Sequence, residues 1–255
     1  LTFLCRGGSK RRTCVQTMLK RRARSLHKQR QPQVPEASFA RTCQRTPGSR
    51  LQAKPEPGRV DMILGLYRLL QPVLERLFGL IVSAMELLIR RRPGLQAKLG
   101  KLIQTYRMRR PRGIPAYLEM DYEALRNKKP IWIHAASGEY EYAKPLVRAL
   151  KERGETVFVT YFSPTYRSAI EKDPGVAASC PLPLDNASEI RDLIVRLQPR
   201  CLLIARTDTW PNLIYESSRK RVPSLLFSAT FHALSGRVGG LAGALTRATY
   251  PYLTT

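Results

Sequence analysis

The chain has 255 residues and carries 44 Lys and Arg against 19 Asp and Glu, a formal net charge of +25. Its 43% hydrophobic and 25% charged residues are globular proportions, which exclude a collagen-like or wholly disordered chain. So large a positive charge invites a nucleic-acid-binding reading, and the distribution of that charge argues against it.

Residues 1–61 hold 15 Lys and Arg against 3 acids, a net +12 in under a quarter of the chain. The clusters Lys10-Arg11-Arg12 and Lys20-Arg21-Arg22 stand in a Pro-, Gln- and Ser-rich run with no apolar period. The segment therefore reads as a basic disordered leader. It opens on Leu1 rather than Met, and a patterned helix begins at Met62. That combination favours upstream translated sequence over a basic tail for nucleic acid or lipid, or a transit peptide. Cys5, Cys14 and Cys43 are scattered in the leader, whereas Cys180 and Cys201 sit in strand-like runs and are expected to be buried thiols. No CxxC or Cys/His cluster occurs, and His27, His134 and His232 are far apart, so no metal is expected.

From Met62 to Arg90 the polar or small residues Arg68, Gln71, Glu75, Gly79, Ser83, Glu86 and Arg90 recur at steps of three and four, one stripe of an α-helix. The remainder is mostly Leu, Ile, Val, Phe and Met. The longest charge-free run, Leu77 to Met85, is far short of the ~20 residues a spanning helix needs. A helix lying in the membrane interface fits better. The basic residues that follow, from Arg90-Arg91-Arg92 through Arg107, Arg109, Arg110 and Arg112, suit an anionic leaflet at about 1 kcal/mol each. The alternative is an amphipathic helix packed on the domain with a solvated basic loop after it. Residues 62–112 are taken together as interfacial helix and basic flank.

From residue 113 onward the chain reads as one α/β domain, 113–255. Strands are predicted at 131–134, 156–160, 179–184, 201–205 and 224–227, alternating with helices at 140–152, 165–172, 187–197, 211–220 and 234–248. Such alternation predicts a Rossmann-like parallel sheet covered on both faces. Asn186 with Glu189 three residues on is a helix-start signal. In such sheets ligands gather at the carboxyl ends of strands, so the segments after the strands are the candidates. Ser137-Gly138 at a helix start offers backbone N–H groups to an anion. Glu139 follows in the first turn, where it is either a partner of the helix dipole or a general base.

The run IWIHAASGEYEYAKPLVRALKERG, then VTYFSPTYRSAIEK, CPLPLD and LIARTDTWPNLI, resembles the amino-terminal domain of the 3-deoxy-D-manno-octulosonic acid (Kdo) transferases. The likeness runs from about Met62 to Thr255, and the four motifs occur in order at fitting separations. It implies an inverting, metal-independent glycosyltransferase of the two-Rossmann GT-B type, with no cofactor. Such an enzyme moves Kdo from CMP-Kdo to the 6′-hydroxyl of lipid IVA, the lipid A precursor of lipopolysaccharide, on the cytoplasmic face of the inner membrane. The amino-terminal domain takes the acceptor, and a carboxy-terminal domain, missing here, takes CMP-Kdo. On this reading the chain is an amino-terminal fragment that is inactive alone.

Carried onto this sequence, the resemblance makes Glu139 the general base. Ser137, Gly138, Ser163 and Thr165 are then candidate acceptor contacts, and Arg107, Arg109 and Arg110 are candidates for the acceptor phosphates. Two departures stand out. Many relatives have an extra residue between Ser and Gly before the Glu. They also carry Glu-Thr-Glu where this chain has Arg206-Thr207-Asp208, so Arg206 and Asp208 are transition-state or acceptor contacts only if their roles have been rebuilt. Arg206 is expected to pair with Asp208 or Glu139, or to meet an acceptor phosphate. A non-catalytic glycolipid-binding relative, and a basic nucleic-acid-binding protein, are the alternatives; no nucleic-acid partner is expected.

Overall fold

The computed structural model describes residues 59–92, 94, 96–230 and 239–254. The expected leader over 1–61 lies almost wholly outside the described residues, as do His232 and the start of the helix expected from 234.

Five strands form one parallel sheet: β1 Ile131–His134, β2 Val157–Tyr161, β3 Ala178–Pro181, β4 Cys201–Ala205 and β5 Ser224–Phe227, in the order β3-β2-β1-β4-β5. β1 is central and pairs in parallel with both β2 and β4, Ile131 lying opposite Val157 and Cys201. Every residue of β1, β2 and β4 is buried, which is why these strands are continuous apolar runs rather than alternating ones. The expected strand over 179–184 ends at Pro181, and the Pro-Leu-Asp that follows is a loop whose Asp185 has a left-handed backbone, φ +53°. Cys180 and Cys201 are buried free thiols, as expected.

Connecting helices cover the sheet. In chain order the helices are α1 Arg59–Arg91, α2 Gln96–Arg109, α3 Glu123–Asn127, α4 Tyr140–Glu152, α5 Arg167–Glu171, α6 Ala187–Leu197, α7 Pro211–Arg219 and α8 Gly240–Thr249. α4 and α6 follow the usual rule: Ala143, Val147 and Leu150, and Ile190, Leu193 and Leu197, recur at helical spacing and are buried. α6 starts at Asn186, whose side chain accepts the Ser188 N–H, and stops at a left-handed Gln198. Glu189 does not complete a capping box; its carboxylate takes Arg110 instead.

α1 reverses the rule. Most of its polar stripe faces the domain: Gln71, Glu75 and the small-side-chain face at Gly79 lie inward with the apolar Leu64 and Val82. Ser83 and Arg90 of the stripe and eleven large apolar residues between Met62 and Leu88 are exposed, Leu69 at 73% and Leu80 at 70%. A Cβ at Gly79 would collide with the Tyr106 hydroxyl, and Phe78 meets the Tyr106 ring edge-on, so α1 and α2 pack closely there. The flank read as a loop or leaflet contact is largely this second helix. No helix among the described residues is long and apolar enough to cross a membrane.

Candidate active site

In this strand order the chain leaves β1 towards β2 on one side and leaves β4 towards β5 on the other, so the topological switch point falls between β1 and β4 at their carboxyl ends. Ala135 to Glu139 leave β1 there, and Arg206 to Trp210 leave β4 there.

Glu139 immediately precedes α4. One oxygen of its carboxylate accepts the Ser137 N–H at 2.9 Å, and no partner is recorded for the other among the described residues. The Ser137 amide expected to serve a ligand anion is thus occupied by Glu139 itself. A Cβ at Gly138 would meet only the Tyr166 ring, at ordinary contact distance, so the protein's own packing does not demand glycine there. The loop is held from the next strand: Phe162 and Ser163 N–H groups both donate to the Ala136 carbonyl, at 2.8 and 2.7 Å. The Ser163 side chain accepts the Thr165 N–H and shapes the turn after β2. Between that turn and α2 lies a cleft of about 650 Å³ lined by Gln96, Gly100, Lys101, Gln104, Pro164 and Thr165.

Arg206 has a left-handed backbone, φ +61°, a conformation that costs a non-glycine residue about 1 kcal/mol. Its guanidinium stands over the Tyr142 ring at 4.9 Å and donates to the Tyr142 hydroxyl at 3.3 Å. The carboxylates expected as its partners are engaged elsewhere, Glu139 with Ser137 and Asp208 with two N–H groups. His134 Nε2 lies 3.1 Å from Asp208 Oδ2, and Trp210 Nε1–H donates to the same oxygen at 2.9 Å.

The three arginines expected at acceptor phosphates all have partners within the protein, and Arg107 keeps a side chain 40% exposed. Arg107 makes a two-pronged pair with Glu86 of α1. Arg110 bridges Glu75 and Glu189. Arg109 is 3% exposed, donates to the Thr105 and Phe162 carbonyls and lies 3.8 Å from the Phe162 ring; burial pushes its pKa down to about 9. From the end of α2 Arg109 therefore braces the loop after β2, whereas Arg107 ties α2 to α1 and Arg110 ties α1 to α6.

Two of the sequence motifs prove to be halves of one joint. Asp185 of Pro-Leu-Asp accepts the N–H groups of Asn212 and Leu213 at the start of α7, at 3.0 and 2.9 Å, and the Tyr67 hydroxyl of α1 at 2.8 Å. The Asn212 side chain donates back to the Asp185 carbonyl. Burial pushes the Asp185 carboxyl up to about 7, against the pull of the Asn212 amide, Tyr67, the Leu213 amide and Arg68. Beside it Arg68 donates to Asn212 and to the fully buried Glu216, which also takes Arg191. Burial acts to raise the Glu216 pKa, and the hydrogen bonds from Arg191 and Arg68 outweigh it, leaving Glu216 below its ordinary value. Among the described residues no group of three or more His, Cys, Asp or Glu is placed to hold a metal ion.

Fold and site together define a Rossmann-like α/β domain that presents a carboxylate at its switch point. The chain belongs to the family described as 3-deoxy-D-manno-octulosonic-acid transferase (kdotransferase), whose family model matches residues 107–255. It is 38% identical over 125 residues to the 3-deoxy-D-manno-octulosonic acid transferase of Bordetella pertussis, covering 46% of this chain and 29% of that protein. It is 34% identical over 110 residues to the transferase of the same name from Aquifex aeolicus, covering 42% and 30%. The corresponding Haemophilus influenzae protein is 34% identical over 109 residues, covering 41% and 26%. The chain thus spans less than a third of the length of the curated relatives it matches.

Proposed function

We propose that this chain is the acceptor-binding part of a glycosyltransferase that moves Kdo from CMP-Kdo to a lipid A precursor, with Glu139 as general base. The observation that carries the reading is a Glu held at the switch point, with one carboxylate oxygen fixed by the Ser137 amide and the other available to an acceptor hydroxyl. Direct attack by the acceptor hydroxyl oxygen on the donor's anomeric carbon, with Glu139 taking the hydroxyl proton and CMP leaving from the opposite face, is a single inverting displacement. The nucleotide sugar would be supplied by a domain outside this chain, so the chain alone is expected to bind acceptor and not to transfer.

The outward apolar face of α1 supports docking on the cytoplasmic face of the inner membrane. α1 touches the loop after β3 through Tyr67–Asp185 and through Gln71 on the Leu184 carbonyl. α1 is thus anchored beside the carboxyl edge of the sheet, which is the arrangement that a membrane-docked acceptor domain requires. The cleft beside Thr165 offers the Gln96 and Gln104 amides, the Thr165 hydroxyl and Lys101 as a cation, groups that suit a phosphorylated sugar headgroup.

The test joins the full chain to the carboxy-terminal segment of the Bordetella pertussis relative and assays transfer from CMP-Kdo to lipid IVA in detergent. Glu139→Gln is expected to lower the rate about 10²- to 10⁴-fold with the fold intact. Wild-type rates in that variant would remove Glu139 as base. Acceptor binding with no transfer by any version of the fusion would favour a glycolipid-binding relative.

A further inference from the structure

We propose that His134 and Asp208 form a positioning pair that locks the Glu139 loop against the exit of β4 and holds the base in register with the acceptor hydroxyl. This rests on the general-base reading of Glu139. Neither residue is open enough to act on substrate directly: the His134 side chain is fully buried and that of Asp208 is 10% exposed.

For a neutral imidazole the protons in the chain of contacts can be assigned by elimination. Trp132 Nε1–H can only donate, and it does so to Thr160 Oγ1 at 2.9 Å. The Thr160 hydroxyl proton then needs an acceptor, and His134 Nδ1 lies 3.0 Å away. With Nδ1 accepting, a neutral imidazole carries its proton on Nε2 and donates it to Asp208 Oδ2. The other neutral tautomer would set a ring lone pair against the carboxylate and leave the Thr160 proton unpaired, at about 1–3 kcal/mol for a buried orphan. The donors therefore run one way, from Trp132 through Thr160 and His134 to Asp208, where Trp210 arrives from the other side.

Mechanically, this pins the Glu139 loop at two points. The His134 side chain ties its beginning to the β4 exit, and the Ala136 carbonyl ties its middle to the β2 exit through two amides. Those two exits are themselves joined, because Trp210 stacks on Phe162 with ring centres 4.9 Å apart and planes 19° from parallel. Arg109 closes the stack on the far side of Phe162. Three adjacent strand exits thus converge around one carboxylate. Misplacement of a catalytic group by about 1 Å costs on the order of 10²-fold in rate, so such bracing has kinetic consequences.

Two readouts test the pair. In the full chain with ¹⁵N-labelled histidine, NMR is expected to find the His134 proton on Nε2 alone in the wild type and in Thr160→Ser, and to find that preference lost in Thr160→Val. In the fused transferase, Thr160→Val and Asp208→Asn are expected to lower kcat about 10- to 100-fold with the acceptor KM within about twofold, while Thr160→Ser retains most of the activity. Should Thr160→Val fail to fold, Asp208→Asn carries the kinetic test and the wild-type spectrum the structural one. A wild-type proton on Nδ1, or unchanged kcat in Asp208→Asn while Glu139→Gln is inactive, would overturn the pair and leave the base reading standing. Full transfer by Glu139→Gln would overturn the base reading and, with it, this role for the pair.

Discussion

α1 and α6 carry similar amphipathic patterns and dock on the same domain by opposite faces. α6 buries Ile190, Leu193 and Leu197, keeps Asp192 and Arg196 at the surface and uses Glu189 and Arg191 at its edges to meet Arg110 and Glu216. α1 turns Arg68, Gln71, Glu75 and Glu86 inward to named partners beside the buried Leu64 and Val82, and leaves its other leucines outside. A 3.6-residue period therefore reports that a helix has two faces, and the partners decide which face is covered. Buried polar groups are generally paired. Each inward charge of α1 finds an opposite charge or a donor on or just after α2, on α7 or in the loop after β3, while Gln71 pairs through its Nε2 alone. The outward face has no such partner within the described domain, and a lipid surface is the partner we propose for it.

Charging the covered face of α6 is the strongest way to break this comparison. Leu193→Asp places an unpaired carboxylate in the core and is expected to cost at least about 4 kcal/mol, read by denaturant unfolding. The same kind of change on α1, Leu80→Glu with Ile81→Glu, is expected to leave stability within about 0.5 kcal/mol, because both side chains are exposed. Equal losses would mean that α1 is covered in the same sense as α6.

Next in size is the polar joint beneath α1. Asp185→Ala strips two helix amides and the Tyr67 hydroxyl of their acceptor and is expected to cost about 3 kcal/mol, with α1 amides gaining hydrogen exchange before those of the sheet. A smaller effect is the joint's pH dependence. Because burial raises Asp185 to about 7 from an unfolded value of about 4, the folded state holds a proton that the unfolded chain has lost between those values. Its contribution to stability is present in full below about 4 and declines as pH rises through 7. Wild type should therefore lose stability relative to Asp185→Asn over that window, and a difference that is flat or rises with pH would contradict the assignment.

The sheet was legible because local rules decide it: runs such as Ile131–His134 and Cys201–Ala205 are too apolar and too short to be anything but buried strands. Glu139 was legible too, since a Ser-Gly-Glu turn between strand and helix falls at the carboxyl edge in any parallel sheet. What resisted reading were contacts across the chain. Tyr67 and Asp185 are 118 residues apart and His134 and Asp208 are 74 apart, and nothing in their local surroundings signals either pairing. Asp208 and Arg110 read as open charges for the same reason: a charged residue in a sequence does not show the group that meets it in the fold. Pro-Leu-Asp and Trp-Pro-Asn-Leu pointed to the right family, and in the structure they build a joint rather than a reactive centre.

Flotation with phosphatidylcholine vesicles at about 0.5 M salt, where screening silences the basic segments, tests the inverted helix most directly. The full chain is expected to float with the vesicles, and the folded Leu80→Glu, Ile81→Glu variant to remain at the bottom of the gradient. A variant that floats as well as the wild type, or a wild type that does not float, would contradict an outward lipid face on α1.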